Sequence, residues 1–302
     1  MLNWTDKNYR FFMRQINKKV VLFTEMVVAN AIIYNHKKLL EFNQCEQPLV
    51  LQLGGSDPKN LHNAVKIAID YGYNAFNLNV GCPSERVQSG KFGACLMREP
   101  NLVAECIDSM IMAANSPNNV SIKHRIGLNY DYSYNALKEF VAIIASVGCN
   151  KFIVHARHAI LEGLNPKENR TIPPLKYDIV YQLKQDFPDL YIELNGGITA
   201  LKQAQLHQQY VDGVMIGRAA YHNPFIFADG NITRKQVLEN MLEYCSHLLN
   251  NDNKMHNVTR HMLGLYYNTS LAKTWRRNIT HVASNNSLQS YKELVCSLPD
   301  NL

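Results

Sequence analysis

The stretch Ala75-Phe76-Asn77-Leu78-Asn79-Val80-Gly81-Cys82-Pro83 places a cysteine where an apolar run of strand character opens into a loop. It continues as Ser84-Glu85-Arg86-Val87-Gln88-Ser89-Gly90-Lys91-Phe92-Gly93-Ala94-Cys95-Leu96-Met97. In a barrel of alternating strands and helices, catalytic side chains collect at such strand ends. Gly90 and Gly93 let the loop fold tightly against a ligand before the next helix. A strand-end cysteine alone is more often a small core residue, so the rest of the chain has to choose between the two.

Working outward, apolar runs alternate with helical patterns along most of the sequence. Strands are expected at Val20–Met26, Pro48–Gly55, Ala75–Pro83, Asn119–Gly127, Cys149–Arg157, Tyr191–Ile198 and Val211–Ala220. Helices are expected at Thr5–Ile16, Asp57–Tyr71, Asn101–Ala114, Tyr134–Val147, Leu175–Asp186 and Ala200–Tyr210. Ser56-Asp57-Pro58 is a start signal, an acidic cap followed by proline in the first turn. Runs such as Phe152-Ile153-Val154 suit strands covered by helices. Repeated units of this kind mean a parallel sheet, open or closed.

Two features favour a TIM-type (β/α)8 barrel. Polar or glycine-rich signatures end nearly every strand: Thr24-Glu25-Met26, Gln52-Leu53-Gly54-Gly55, Asn79 to Cys82, Lys123-His124-Arg125, His155-Ala156-Arg157, Asn195-Gly196-Gly197 and Gly217-Arg218. An open sheet would gather its ligand groups at one switch point. The last two signatures also fall where barrels build a phosphate site, with backbone N–H groups from the glycines and a charge from Arg218. Only seven strands are legible, and the first helix begins almost at residue 1. The eighth strand is therefore expected upstream of Met1.

Beyond Pro224 the strand pattern stops. Residues 231–302 read as a second domain of three or four amphipathic helices, including Arg234–Asn250 and Asn257–Ser270, after a barrel domain over 1–230. Lys273-Thr274-Trp275-Arg276-Arg277 is its densest basic cluster. It reads either as a solvated helix face with Trp275 turned inward or as a clamp on a phosphate backbone.

Composition narrows the class. The chain has 302 residues, 46% of them hydrophobic, and no run near the roughly 18 apolar residues of a membrane span. Its start lacks a signal-peptide profile. Seven cysteines contain no C-x-x-C pair, which speaks against a disulfide framework or a zinc site and for a cytoplasmic protein without a metal. A net charge of +6 permits a nucleic-acid partner without requiring one.

The strand-end set suits a flavin mononucleotide. Gln52 can hydrogen-bond the uracil-like edge of the ring, and Lys123 can stabilise the reduced, anionic form. A barrel lysine is otherwise costly to bury. His155 reads equally as a ligand contact and as a hydrogen-bonded core histidine. Reducing a carbon–carbon double bond requires a hydride and a proton, and a thiol, mostly protonated at neutral pH, can supply the proton. Cys82 is the candidate; Cys95 competes, but its place near a helix start suggests packing.

Several of these segments together resemble the tRNA-dihydrouridine synthases, in particular the A-type bacterial members. They are Leu51–Pro58, Asn77–Pro83, Val87–Met97, Lys123–Gly127, Phe152–Arg157, Pro166–Arg170, Ile172–Leu175, Asn195–Ile198 and Asp212–Ala219. The resemblance implies an FMN barrel with a helical domain that grips tRNA, NADPH as reductant, and reduction of D-loop uridines 20 and 20a to 5,6-dihydrouridine. It implies that Cys82 gives the proton to C5 of the uracil while the flavin gives hydride to C6. Met1, Gln52, Lys123, His155, Asn195, Gly196, Gly197, Gly217 and Arg218 match flavin-contacting positions. Asn79, Asn169, Lys273 and Arg276 match positions that meet tRNA, and Arg170 is expected to add to the grip. The family carries a strand ending in Ala-Pro-Met before the first helix, of which this sequence holds Met1. A base inside folded RNA has to be extruded to reach a flavin, which calls for backbone grip away from the pocket.

Two other classes share part of this pattern. A small-molecule flavin oxidoreductase would use the phosphate site and have no use for the basic helices. A non-catalytic RNA-binding protein would need none of Cys82, Lys123 and His155. The chain is expected to act as a monomer.

Overall fold

The computed structural model describes residues 1–129, 133–230, 232–250 and 253–299. Seven strands run through the described residues: β1 (Leu22–Val28), β2 (Leu49–Gly54), β3 (Phe76–Val80), β4 (Val120–Arg125), β5 (Lys151–His155), β6 (Tyr191–Asn195) and β7 (Gly213–Met215). All neighbours pair in parallel and the order across the sheet is the order along the chain. Parallel neighbours need a crossover, usually a helix. Helices α1 (Lys7–Ile16), α2 (Ala29–Leu39), α3 (Pro58–Asp70), α4 (Glu85–Ser89), α5 (Pro100–Ala114), α6 (Tyr134–Ser146), α7 (Tyr177–Asp186), α8 (Leu201–His207) and α9 (Arg218–His222) precede and connect the strands. The start signal at α3 works as its sequence suggests: the Asp57 side chain accepts from the Asn60 amide at 2.9 Å, with Pro58 in the first turn.

The sheet curls. Met1 to Asn3 lie between its two edge strands. The Met1 sulfur is 3.8 Å from where a Cβ would sit on Gly217, just past β7, and the Asn3 amide donates to Glu25 on β1. Among the described residues β1 and β7 do not pair with each other. The architecture is that of a (β/α) barrel with seven strands in the arc, and a turn over residues 1–5 occupies the gap.

Alternation along the strands decides which side chains enter the barrel. His124 on β4 faces the helix layer, 5.3 Å from the Phe140 ring of α6. Ser121, Lys123 and Arg125 therefore face the interior. By the same alternation β3 sends Phe76, Leu78 and Val80 into the apolar layer and Asn77 and Asn79 inward. All six residues of β2 are buried.

Two expected elements are shorter than their sequence suggests. The strand expected over Val211–Ala220 is confined to Gly213–Met215, because the chain turns at Gly217 and enters α9. The helix expected over Asn257–Ser270 is α11 (His256–Met262) followed by turns. Around it pack α10 (Arg234–Asn250), α12 (Ala272–Asn285) and α13 (Leu288–Cys296). Their buried residues recur at three- and four-residue steps, as in Val237, Leu238, Met241 and Cys245 or Trp275, Ile279 and Val282. Trp275 is turned inward, its indole N–H donating to the Met262 carbonyl at 2.8 Å.

Helix α1 joins the two regions. At one end Arg10 forms a buried ion pair with Glu46 ahead of β2, at 2.6 Å. Toward the helical region, Phe11 stacks on Tyr244, the Tyr244 hydroxyl donates to Asn8 at 2.7 Å, and Asp6 pairs with Arg260 and His261. The buried apolar residues of barrel and helices form one continuous core. No described helix is long and apolar enough to cross a membrane.

Candidate active site

The carboxyl ends of β2 to β5 bring polar side chains into one interior patch. Gln52, Asn77 and Ser121 are direct neighbours across β2, β3 and β4. Gln52 Nε2 donates to Asn77 Oδ1, and Asn77 Nδ2 donates to Ser121 Oγ, each at 2.9 Å. One step nearer the strand ends, Asn79 Nδ2 donates to Gln52 Oε1 at 2.9 Å. The Asn79 oxygen accepts the amides of Gly81 and Cys82 at 3.1 and 3.0 Å. A short side chain capping its own following backbone is a usual way to fix a turn, and here it fixes the loop that carries the thiol.

Cys82 is half-buried, with its sulfur 3.6 Å from the Ser84 hydroxyl. Behind it the loop closes on Gly93, whose φ is +77°. A Cβ there would fall 2.4 Å from Val87 and 2.7 Å from the Cys82 carbonyl, so only glycine allows the approach. The Cys95 thiol donates to the Phe92 carbonyl at 3.2 Å and packs against the core, in keeping with a structural role.

Cations surround this patch. Lys123 Nζ donates to Asn195 Oδ1 at 3.0 Å. Its burial, and next the nearby Arg125 charge, bring its pKa down to about 8 against the pull of Glu193 and Cys82. Arg125 donates to the carbonyls of Gly81 and Asn169 at 3.1 and 3.0 Å, bracing the Cys82 loop from beneath. Burial brings its own pKa down to about 10. His155 is held well below the usual imidazole range, first by burial and then by Arg125, Lys123, Arg157 and Arg218. Burial, then Arg218, also lowers the pKa of Arg170, while Cys82 acts on it in the opposite sense. The Nε atoms of Arg157 and Arg170 are buried with no protein hydrogen-bond partner. Cations crowded together at the strand ends suit an anion.

Gly196 and Gly197 line the same mouth at φ of +120° and +72°. A Cβ on Gly196 would lie 2.9 Å from the His155 ring, and one on Gly197 2.4 Å from Leu175. Asn195 is held in turn by donating to the Met215 carbonyl at 2.9 Å. Gly217 lies beside Met1, and Arg218 donates to the Arg170 carbonyl at 3.0 Å. Gln52, Lys123, His155 and Asn195 thus lie on the strands, Gly196, Gly197, Gly217 and Arg218 just past strand ends, and Met1 beside Gly217.

The residues expected to meet tRNA are placed differently from one another. Asn79 borders the pocket. Arg170 approaches it from the loop after β5. Asn169, by contrast, is fully buried: its oxygen accepts from Ile160 at 2.7 Å and its amide donates to the carbonyls of Ile160 and Leu164. A loop this long needs an internal polar clasp, and the Asn169 side chain supplies it. Lys273 and Arg276 are exposed on α12. Arg276 lines a groove of about 740 Å³ between the end of the barrel and the helical region, together with His222, Arg260 and Tyr267.

Asn77, Ser121 and Glu193 contribute without belonging to any strand-end signature. Each alternates with apolar neighbours on a strand, and that inward alternation is the signal that could find them.

The dihydrouridine synthase family model matches residues 1–298 of this chain. A tRNA-dihydrouridine(20/20a) synthase from Synechocystis sp. is 49% identical over 291 residues, covering 93% of this chain and 86% of that protein. One from Shewanella oneidensis is 48% identical over 296 residues, covering 95% and 88%. Among solved structures, an old yellow enzyme homologue from Zymomonas mobilis superposes with a TM-score of 0.52 at 10% identity, covering 76% of this chain and 85% of that one. Histamine dehydrogenase from Rhizobium sp. 4-9 gives a TM-score of 0.54 at 12% identity over 90% of this chain and 47% of its own. At such identities these two speak for the barrel fold alone.

Proposed function

Since this chain belongs to the dihydrouridine synthase family, we propose that it reduces the C5=C6 bond of D-loop uridines in tRNA, at positions 20 and 20a. FMN, reduced by NADPH, supplies the hydride to C6 of the uracil when it is bound. Cys82 supplies the proton to C5. The observation that carries this reading is the Cys82 loop itself, clamped by Asn79 at 3.1 and 3.0 Å and braced by the buried Arg125 of β4, with Lys123 on the same strand.

The residues fit the cofactor. Gly196 and Gly197 leave no Cβ in the mouth, Lys123 and Arg218 bring charge, and the Nε atoms of Arg157 and Arg170 are buried donors without a protein partner. Lys123, positioned by Asn195, would stand against the electron-rich part of the ring. Gln52 uses one N–H and one lone pair within the protein and keeps one of each for the ring edge. His155, Met1 and Gly217 would complete the cofactor's surroundings. Arg170 and Asn79 border the pocket where an extruded base would enter, while Asn169 shapes that rim from inside. Lys273 and Arg276 would hold the tRNA backbone, and one chain in the cytoplasm supplies all these groups.

The test is direct. Unmodified tRNA incubated with the FMN-loaded chain and NADPH should gain dihydrouridine at positions 20 and 20a, read by mass spectrometry of nuclease fragments. Reduction of free uridine at a rate matching that of tRNA would refute the macromolecular substrate. A protein that takes up no FMN would refute the cofactor.

A further inference from the structure

The interior amides form a chain whose two ends are anchored by backbone groups of fixed polarity. At one end the N–H groups of Gly81 and Cys82 can only donate, so Asn79 has to present its oxygen to them. Its Nδ2 then faces Gln52, which has to answer with Oε1. Gln52 Nε2 is thereby aimed at Asn77, which answers with Oδ1 and passes its own Nδ2 to Ser121 Oγ. Ser121 ends the chain by donating to the Phe76 carbonyl at 3.1 Å, which can only accept. Turning over Gln52 alone would set oxygen against oxygen at Asn77 and N–H against N–H at Asn79. Asn77, Ser121 and Gln52 are all buried, so water is poorly placed to repair such a mismatch.

We propose that Asn77 and Ser121 are positioning residues that fix the amide polarity of Gln52 and couple it, through Asn79, to the loop bearing Cys82. Orientation of a primary amide is a two-fold choice with little intrinsic preference, and the two faces offer a flavin edge opposite patterns of donor and acceptor. The relay removes that choice before any ligand arrives. It also makes the group reading the flavin edge and the group giving the proton parts of one hydrogen-bonded unit. The functional side of this inference rests on the flavin reading above; the polarity of the relay does not.

The experiment has two arms. In the flavin-free chain, the side-chain amide resonances of Asn77, Gln52 and Asn79 are compared between wild type and Ser121→Ala by 15N–1H NMR. All three should move, most at Asn77 and least at Asn79. A shift confined to Asn77 would overturn the coupling. In the FMN-loaded chain, Asn77→Leu should raise the Kd for FMN about tenfold, the worth of roughly one hydrogen bond, and shift the flavin's reduction potential and visible bands. The double variant Asn77→Leu with Ser121→Ala removes the Asn77 amide that Ser121→Ala strands but leaves Gln52 Nε2 without its acceptor, so it should melt no higher than Ser121→Ala. Its potential should stay displaced. Recovery of both wild-type melting and wild-type potential would make Asn77 and Ser121 structural only and end the proposal. If wild type takes up no FMN, the flavin reading fails, and the NMR arm still decides the relay.

Discussion

The molecule carries cations in two places on opposite terms. At the barrel mouth Lys123, Arg125, Arg157, Arg170 and Arg218 crowd together partly or wholly out of water, and burial is the leading cause of the lowered pKa of the first four. On α12 Lys273, Arg276 and Arg277 stand in solvent, with Trp275 packed beneath them. Charges of the first kind cost stability until an anion joins them. Those of the second cost little and are screened by salt. The contrast accords with the proposed division, in which the mouth holds one small anionic ligand tightly and the helices hold a long phosphate backbone loosely. The same contrast separates chemistry from stability, since the mouth buries polar groups and the helical region buries apolar ones.

The largest effect should come from Cys82→Ala. Loss of a general acid costs about 10²–10⁴ in rate, so tRNA reduction should fall by that much while FMN absorbance and melting temperature hold. A loss smaller than tenfold would break the division, because the thiol would then be packing rather than chemistry. Trp275→Ala tests the other side. Removing a buried tryptophan costs about 3–5 kcal/mol, and here it also strands the Met262 carbonyl. Urea unfolding should show that loss, and a change below about 1 kcal/mol would mean the helical region does not lean on this residue.

Much of this division is legible from the residues. Strand ends marked by glycine or a polar signature fall at the mouth because parallel strands in sequential order put every carboxyl end on one side. Trp275 is readable as core because Ile279 and Val282 share its helical face. Asn169 enters only through the family resemblance, and its clasp on the carbonyls of Ile160 and Leu164 is a tertiary contact that no spacing shows. β7 ends early because Ile216 to Ala220, apolar enough for a strand, turns at Gly217 and enters α9. Inward alternation places Asn77 and Ser121 inside the barrel, but their role lies in a hydrogen-bond sequence across three strands, which spacing along one strand does not show.

Lys123 gives an intermediate effect with a definite sign. Its folded pKa of about 8 lies below the ordinary lysine value. Between about 8 and the reference value near 10.4 the unfolded chain binds more protons than the folded one, so this group makes stability rise with pH across that window. Buried thiols such as Cys149 and Cys245, pushed up to about 12, pull the other way above their reference value. The difference between wild type and Lys123→Met in the flavin-free chain isolates the lysine. That difference should favour the variant below pH 8 and shrink toward pH 10. A pH-independent difference would show that Lys123 titrates alike in the folded and unfolded chains, with no lowering of its pKa in the mouth.

The smallest effect is the one that sharpens the contrast most. Lys273 and Arg276 are exposed, so removing them should leave melting temperature unchanged. If each meets one tRNA phosphate, each releases about one counterion on binding, and log K against log salt should lose roughly 0.7–0.9 in slope per residue. The double variant Lys273→Ala with Arg276→Ala should therefore bind tRNA more weakly at low salt and approach wild type as salt rises. Its kcat at saturating tRNA should match wild type if these side chains hold the backbone alone, as their exposure on α12 suggests. Measuring KM and kcat across a salt series distinguishes the two regions in one experiment. An effect on kcat that salt does not touch would mean the helical cations orient the base as well as hold the backbone, and the division between grip and chemistry would have to be redrawn.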